Sequence, residues 1–261
     1  MNKLTKRLNL RNLVVIAICL KSITVFALFS EEKEIESQEI ILLLEEIQSS
    51  DGERSVYEYD NQNRITKYTI YGANGEPYWL STYTYNAEGD LIEQEDNNFK
   101  ITFTKNGNKI TFVDEEGGYV EIELNNQELP VKDTYEWEWA DESGKFWSKY
   151  TTNLTWQNRN PVKTEAEDEW KAGTETGLET SSVTYTYDDK KAPLYNCKTP
   201  KWFLWWDGYN INNNIKTWDN GTSVITYEYT YNDDGFPVTR KASNSSITDT
   251  YIYTLSATRG Q

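Results

Sequence analysis

Apolar and polar positions alternate along most of this chain. In SVYEYD the tyrosines are Tyr57 and Tyr59, in STYTYN Tyr83 and Tyr85, and in TYEWEWA the aromatics are Tyr135, Trp137 and Trp139. SVTYTYD repeats the pattern with Val183, Tyr185 and Tyr187, ITYEYTY with Ile225, Tyr227, Tyr229 and Tyr231, and TYIYTL with Tyr251 and Tyr253. Thr, Glu and Ser fill most of the places between. Successive side chains of a strand point to opposite faces, so each segment has one aromatic and one polar face. That is the signature of half-buried antiparallel strands.

The interruptions are as regular as the strands. Tyr59 leads into DNQNRI, Tyr85 into NAEGDL, Leu124 into NNQELP, Trp156 into QNRNPV, Tyr187 into DDKKAP and Tyr231 into NDDGFP. Each is a polar bend that ends on Ile, Leu, Pro or Val. Asp and Asn hydrogen-bond their own backbone in turns, and Gly89 and Gly235 take positive φ without a steric penalty. Asn106-Gly107 is the strongest tight-hairpin signal. One hairpin buries too little to stand alone, so the unit recurs. The expected fold is all-β: repeated antiparallel hairpins forming a long curved sheet, with a short helix ahead of it.

That helix is expected in residues 31–52, the link before the hairpin domain at 53–261. Glu, Gln and Leu in EEKEIESQEIILLLEEIQSS favour a helix, although the five apolar residues from Ile40 to Leu44 also fit a buried strand. Residues 1–30 read as an export signal. Lys3, Lys6, Arg7 and Arg11 precede the apolar run Leu13 to Leu20. Lys21 interrupts that run, which disfavours a spanning helix. Cys19 is a candidate for lipidation, set against its reading as an ordinary apolar residue of the signal.

The unit Tyr-x-Tyr-Asp/Asn, polar turn, then Leu, Ile or Pro resembles the YD repeat of Rhs-type shell proteins. It does so most closely from Tyr57 to Ile65, Tyr83 to Leu91 and Tyr229 to Pro237. The looser spacing, the leader and YTYDDKKAP are more similar to a family of Gram-negative secreted proteins and lipoproteins built around a domain of unknown function. The resemblance spans residues 55 to 255. It implies a curved antiparallel sheet on the cell envelope, in the periplasm, outer membrane or cell surface, and brings no catalytic residue with it. Glu128, where Gly or Asn is usual, and the insert 196 to 219 depart from the pattern.

Composition narrows the chemistry. The 261 residues carry 26 Lys and Arg against 42 Asp and Glu, a formal charge of -16. Such a surface repels nucleic acid and anionic membranes. Contact with a membrane is expected only through the leader or a lipid anchor. The chain has no histidine. That removes Ser-His-Asp and Cys-His catalysis and any imidazole base. Once a leader is removed Cys197 stands alone, a buried small hydrophobe rather than half of a disulfide.

The segment NCKTPKWFLWWDGYNINNN is the one stretch unlike the repeat. Trp202, Trp205, Trp206, Asp207 and Tyr209 are the candidate ligand-binding residues. Flat aromatic faces suit sugar rings, with Asp207, Asn210 and Asn212 as hydrogen-bond partners. The competing reading is a satellite core that pins a long connection to the sheet. Trp137, Trp139, Phe146, Trp147 and Trp156 read as strand packing. The carboxylates Glu136, Glu138, Asp141, Glu142, Asp188 and Asp189 include pairs that glycoside hydrolysis could use. Nothing asks for a cofactor or a metal, and acidic turns such as YNDDG explain themselves by turn chemistry. The expected function is a non-catalytic binding or scaffolding module for a glycan or protein. The alternative is a carboxylate-dependent carbohydrate hydrolase.

Overall fold

The computed structural model describes residues 40 to 257 apart from 98, 115, 142 and 143. The leader and Cys19 lie outside the described residues. The strands are β1 (Ile40–Ser49), β2 (Arg54–Tyr59), β3 (Ile65–Tyr71), β4 (Pro77–Tyr85), β5 (Leu91–Asp96), β6 (Phe99–Thr102), β7 (Thr104–Asn106), β8 (Lys109–Val113) and β9 (Tyr119–Leu124). They continue with β10 (Pro130–Asp141), β11 (Gly144–Gln157), β12 (Asn160–Ala172), β13 (Glu175–Lys191), β14 (Asn213–Asp219), β15 (Val224–Tyr231), β16 (Pro237–Ala242) and β17 (Thr248–Ala257). One short helix, α1 (Lys201–Trp206), lies between β13 and β14.

All pairings are antiparallel, nearly all join strands adjacent in the chain, and β1 closes onto β17. The strands β6 and β7 are the two halves of one strand bent at Phe103. The first half pairs β5, the second pairs β8, and the Phe103 N–H donates to the Ile92 carbonyl at 2.9 Å. The expected curved sheet therefore bends all the way round into a barrel.

β1 corrects the expectation of a helix in residues 31–52. Ile40–Ser49 is a strand held between β17 and β2. Pairing on both sides outweighs the helix propensity of its Glu and Leu, because propensity is a weak prior against tertiary context.

The polar bends share one end of the barrel, called the lower end here. Asp60 Oδ1 accepts from the N–H groups of Gln62 and Arg64, and Asn125 Oδ1 from Gln127 and Leu129. Asn232 Oδ1 accepts from Asp234 and Phe236, and Asn86 Oδ1 from Asp90. The fourth residue of each bend takes positive φ: Asn63 at 63°, Gly89 at 91°, Glu128 at 58° and Gly235 at 79°. Glu128 thus occupies a left-handed position that glycine fills elsewhere.

Six aromatic side chains fasten the hairpins at that same end. Tyr59 donates to the Leu44 carbonyl, Tyr85 to Ile65, Trp156 to Pro130, Tyr187 to Pro161, Tyr229 to Ile215 and Tyr253 to Pro237. Each donor lies on one strand of a hairpin, and each acceptor on the strand before it. The hairpin turn closes the upper end and the aromatic fastens the open end. This is why an aromatic stands directly before so many of the bends.

Inside and outside follow the alternation. Tyr57, Tyr83, Phe103, Phe112, Val120, Ile122 and Leu124 are buried in the interior. The outer wall carries Thr, Glu and Lys in cross-strand pairs. Glu58 meets Lys67 at 2.7 Å, Glu93 meets Lys100 at 2.5 Å, Glu121 meets Lys109 at 2.6 Å and Glu136 meets Lys149 at 2.8 Å. A barrel wall facing lipid needs an apolar band, and a Lys or Arg at mid-bilayer costs about 2–4 kcal/mol. These ion pairs make the outer wall polar from β2 to β11. Among the described residues no helix is long and apolar enough to cross a membrane.

The strands β10 to β13 outrun their neighbours at the upper end. Pairing of β9 with β10 stops at Glu136, and pairing of β14 with β13 stops at Thr184. Beyond those points the four strands form a tongue. Its outer edge, residues 175 to 183, is paired only to β12 among the described residues.

Candidate functional site

The insert between β13 and β14 plugs the lower half of the barrel. Lys191 pairs Asn213 and the Ala192 N–H donates to the Asn212 carbonyl, so the loop leaves and re-enters at one point. It is anchored three times. Lys198 N–H donates to the Asn63 carbonyl, Thr199 Oγ1 accepts from the Ile65 N–H, and Asn196 Nδ2 donates to the Leu42 carbonyl. Gly208, with φ of 85°, ends α1 in the left-handed conformation that glycine takes past a helix C-terminus.

The candidate residues of the insert separate by role. Trp202 is 3% exposed and sits edge-on to Phe103 at 5.4 Å, so neither of its faces is open to a ligand. Phe203 packs against Tyr83 and Phe103. Burying such side chains contributes roughly 1.5–3 kcal/mol each. Trp205 is half-buried, and so is Trp206, which stands edge-on to Phe112 at 5.0 Å. Asp207 is exposed and Tyr209 is half-buried at the top of the plug. Asn212 Nδ2 is taken up by Asn158 and Asn213.

Above the plug is a floor of phenols and carboxylates. Tyr57 donates to the Tyr209 hydroxyl at 3.2 Å and its ring lies 5.0 Å from that of Tyr68. Gln94 Nε2 donates to Asp96 Oδ2 at 2.9 Å, and Gln94 Oε1 is buried without a partner among the described residues. Asp207 has water on one side and protein on the others. Burial first, then the neighbouring Asp96, push its carboxyl up to about 7, while the Tyr209 hydroxyl draws it partly back.

The wall above that floor comes from β10 to β17. Val120 and Ile122, both buried inside, register with Tyr135 and Asp133, which puts Asp133, Tyr135, Trp137 and Trp139 on the inner face. Register carries that face to Phe146, Ser148 and Tyr150, and on to Asp168 and Trp170. Burial pushes the Asp133 carboxyl up to about 6. Ser148 Oγ donates to Asp168 Oδ1 at 2.8 Å. Trp137, Trp139 and Phe146 are nearly parallel, at interplanar angles of 11° and 12°. Across the barrel Arg240 pairs Asp249 at 2.7 Å, and Ser49 Oγ donates to the same carboxylate.

These inward aromatics are not sealed. Trp139 is 42% and Tyr150 41% exposed, though both lie on the face that is buried lower down. Inward yet wet is the mark of an open concave surface. The strand aromatics Trp137, Trp139 and Phe146, read from sequence as packing, thus join the candidate surface. Trp147 faces outward against Lys171, whose Nζ lies 5.6 Å from the ring.

Among the solved structures similar to this chain are two porin-like proteins. One, from Bacteroides uniformis, is 15% identical over 84% of this chain and 97% of its own, with a TM-score of 0.33. The other, from Bacteroides vulgatus, is 11% identical over 74% of this chain and 99% of its own, with a TM-score of 0.39. No protein-family model matches the chain, and no curated protein is similar to it. Likeness at this level assigns no role to any residue.

Of the carboxylates singled out in the sequence, Glu142 and the Asp141 side chain lie outside the described residues, and the others stand elsewhere. Glu136 and Glu138 face outward in ion pairs with Lys149 and Lys145. Asp188 accepts from the Tyr231 hydroxyl and the Asn214 amide, bridging to β15 and β14 where the β13–β14 ladder is interrupted. A cleft of about 320 Å³ lies where β12 and β13 part, lined by Asn158, Asn160, Asp188 and Asn213. Asn160 donates to Asn213 across it at 2.9 Å, a side-chain substitute for the missing ladder bonds. The carboxylate whose charge reaches Asp207 is Asp96. Neither residue's strand pattern announced the other, because the influence joins the end of β5 to a loop more than a hundred positions on.

Proposed function

We propose that this protein is an exported, non-catalytic binding module of the cell envelope. Its ligand surface is the aromatic inner wall above the plug, and its ligand is a glycan. The observation that carries the reading is the set of inward but water-accessible rings, Trp137, Trp139, Phe146 and Tyr150, facing the Asp207 floor. Flat rings with a few oriented carboxylates and hydroxyls are how concave sites hold sugar rings. The polar outer wall supports a barrel held in an aqueous compartment, with any membrane contact left to the leader. The hairpin repeat supports kinship with the YD-type envelope proteins.

Tryptophan fluorescence titrated with a panel of polysaccharides tests this reading. Binding is expected to shift the emission. Trp139→Ala is expected to weaken it about tenfold, in line with the loss of one aromatic face, with the circular dichroism unchanged. A silent panel sinks the glycan reading.

One observation favours hydrolysis as a second reading. Burial, then the charge of Asp96, push the Asp207 carboxyl up to about 7, which suits a proton donor. Release of reducing ends, abolished in Asp207→Asn with binding retained, would establish it.

A further inference from the structure

The outer edge of β13 is built to accept another strand, and we propose that this strand is β13 of a second copy of the chain. The β12–β13 hairpin closes on the pair Ala172 and Glu175 around a two-residue turn. In such a hairpin the closing pair is hydrogen-bonded and the bonded pairs then alternate. Glu175, Gly177, Glu179 and Ser181 therefore bond inward to β12. Thr176, Leu178, Thr180 and Ser182 aim their N–H and C=O groups outward, over a stretch where β14 does not reach.

Proteins normally blunt such an edge with charged side chains, Lys above all, with Pro or with a bulge. Residues 175 to 183 contain neither Lys nor Pro, their pairing with β12 runs without a register shift, and their two charges, Glu175 and Glu179, constrain the register. Leu178 stands at the middle of this edge, 64% exposed.

Charge and the exposed Leu178 together favour one register, because an axis on Thr180 also avoids Glu against Glu but leaves Leu178 opposite Ser182. Two copies joined about a twofold axis pair antiparallel, each residue meeting its counterpart across the axis. Centring the axis on Gly177 sets Glu175 against Glu179 twice over, and centring it on Glu179 sets that residue against itself. Like charges directly opposite destabilise a sheet. Centring on Leu178 avoids both. Leu178 then meets Leu178, Thr176 meets Thr180, Glu179 meets Gly177 and Glu175 meets Ser181. The outward-aimed residues are the ones that bond in that register.

The contact is one strand wide, so the dimer is weak and concentration-dependent. Two copies of an acidic chain repel, so added salt strengthens the association by screening.

Sedimentation equilibrium of the full chain, from low micromolar to several hundred micromolar, tests the proposal. A monomer–dimer equilibrium that tightens with salt is expected. Leu178→Lys places two ammonium groups at the axis, and Thr180→Pro removes a bonding N–H from each copy, so each substitution weakens the dimer about tenfold or more. Leu178→Lys alters only an exposed side chain, so it decides the matter should Thr180→Pro fail to fold. A monomer at every concentration, or a dimer that Leu178→Lys leaves intact, overturns the proposal.

Discussion

Six of the hairpins end where one aromatic hydrogen finds one carbonyl. Tyr85 shows it best, donating to Ile65 at 2.7 Å while its oxygen also meets Thr199 of the plug at 3.0 Å. Tyr85→Phe keeps the ring and leaves these partners unsatisfied. The expected loss is about 1–3 kcal/mol, measured as a lower denaturant midpoint at unchanged slope. Asp207 gives a pH dependence of known sign. Its folded carboxyl titrates near 7 against about 3.9 when unfolded. The folded form therefore binds the proton more tightly, and this contribution is full below about 4 and lost as pH rises towards 7. Asp207→Asn should leave acid stability nearly unchanged and raise stability above neutrality. The gain is on the order of 1 kcal/mol, small because water screens the exposed side of the group. Thermal melts at acid and alkaline pH check it. At this scale the turns were legible in the sequence, because the Asx side chain and the backbone it caps lie within five residues. The raised carboxyl was not, because it depends on burial at the top of the plug and then on Asp96, both set by residues distant in the chain.

Elements were read well where alternation is local and poorly where it is not. The tyrosine segments are strands with their rings inward at Tyr57 and Tyr83. The run Ile40 to Leu44 offered five apolar residues and no alternation, so nothing in it distinguished a helix from a strand paired on both sides. The plug was visible as an aromatic insert, and its division into a buried half and a half-open top was set by how deep it sits. Leu204, fully buried in α1, should cost about 2–5 kcal/mol as Leu204→Ala, read from the unfolding midpoint. The tongue has a sharper test. A Cβ at Gly177 would run into the Trp170 ring. Gly177→Ala must push that indole aside, at a cost of about 1–3 kcal/mol, and a changed near-ultraviolet dichroism would report the moved ring.

The barrel as a whole depends on its first and last strands. Ser49 and Asp249, bonded at 2.7 Å, are 200 residues apart in the chain. Such pairing is slow to form, since loop closure precedes its reward. A chain beginning at Asp51 loses β1 and leaves β2 and β17 each with a bare edge. Its melt should broaden and its soluble yield fall, with sedimentation showing aggregates. No local pattern disclosed the closure, because a sheet that curves and a sheet that meets itself have the same alternation. The row of aromatic fasteners has a further consequence. Each secures its hairpin to that hairpin's own earlier strand and asks nothing of the next one round. Girth is then a matter of how many units the gene encodes, and a duplicated unit would widen the bore without any new chemistry at the seams.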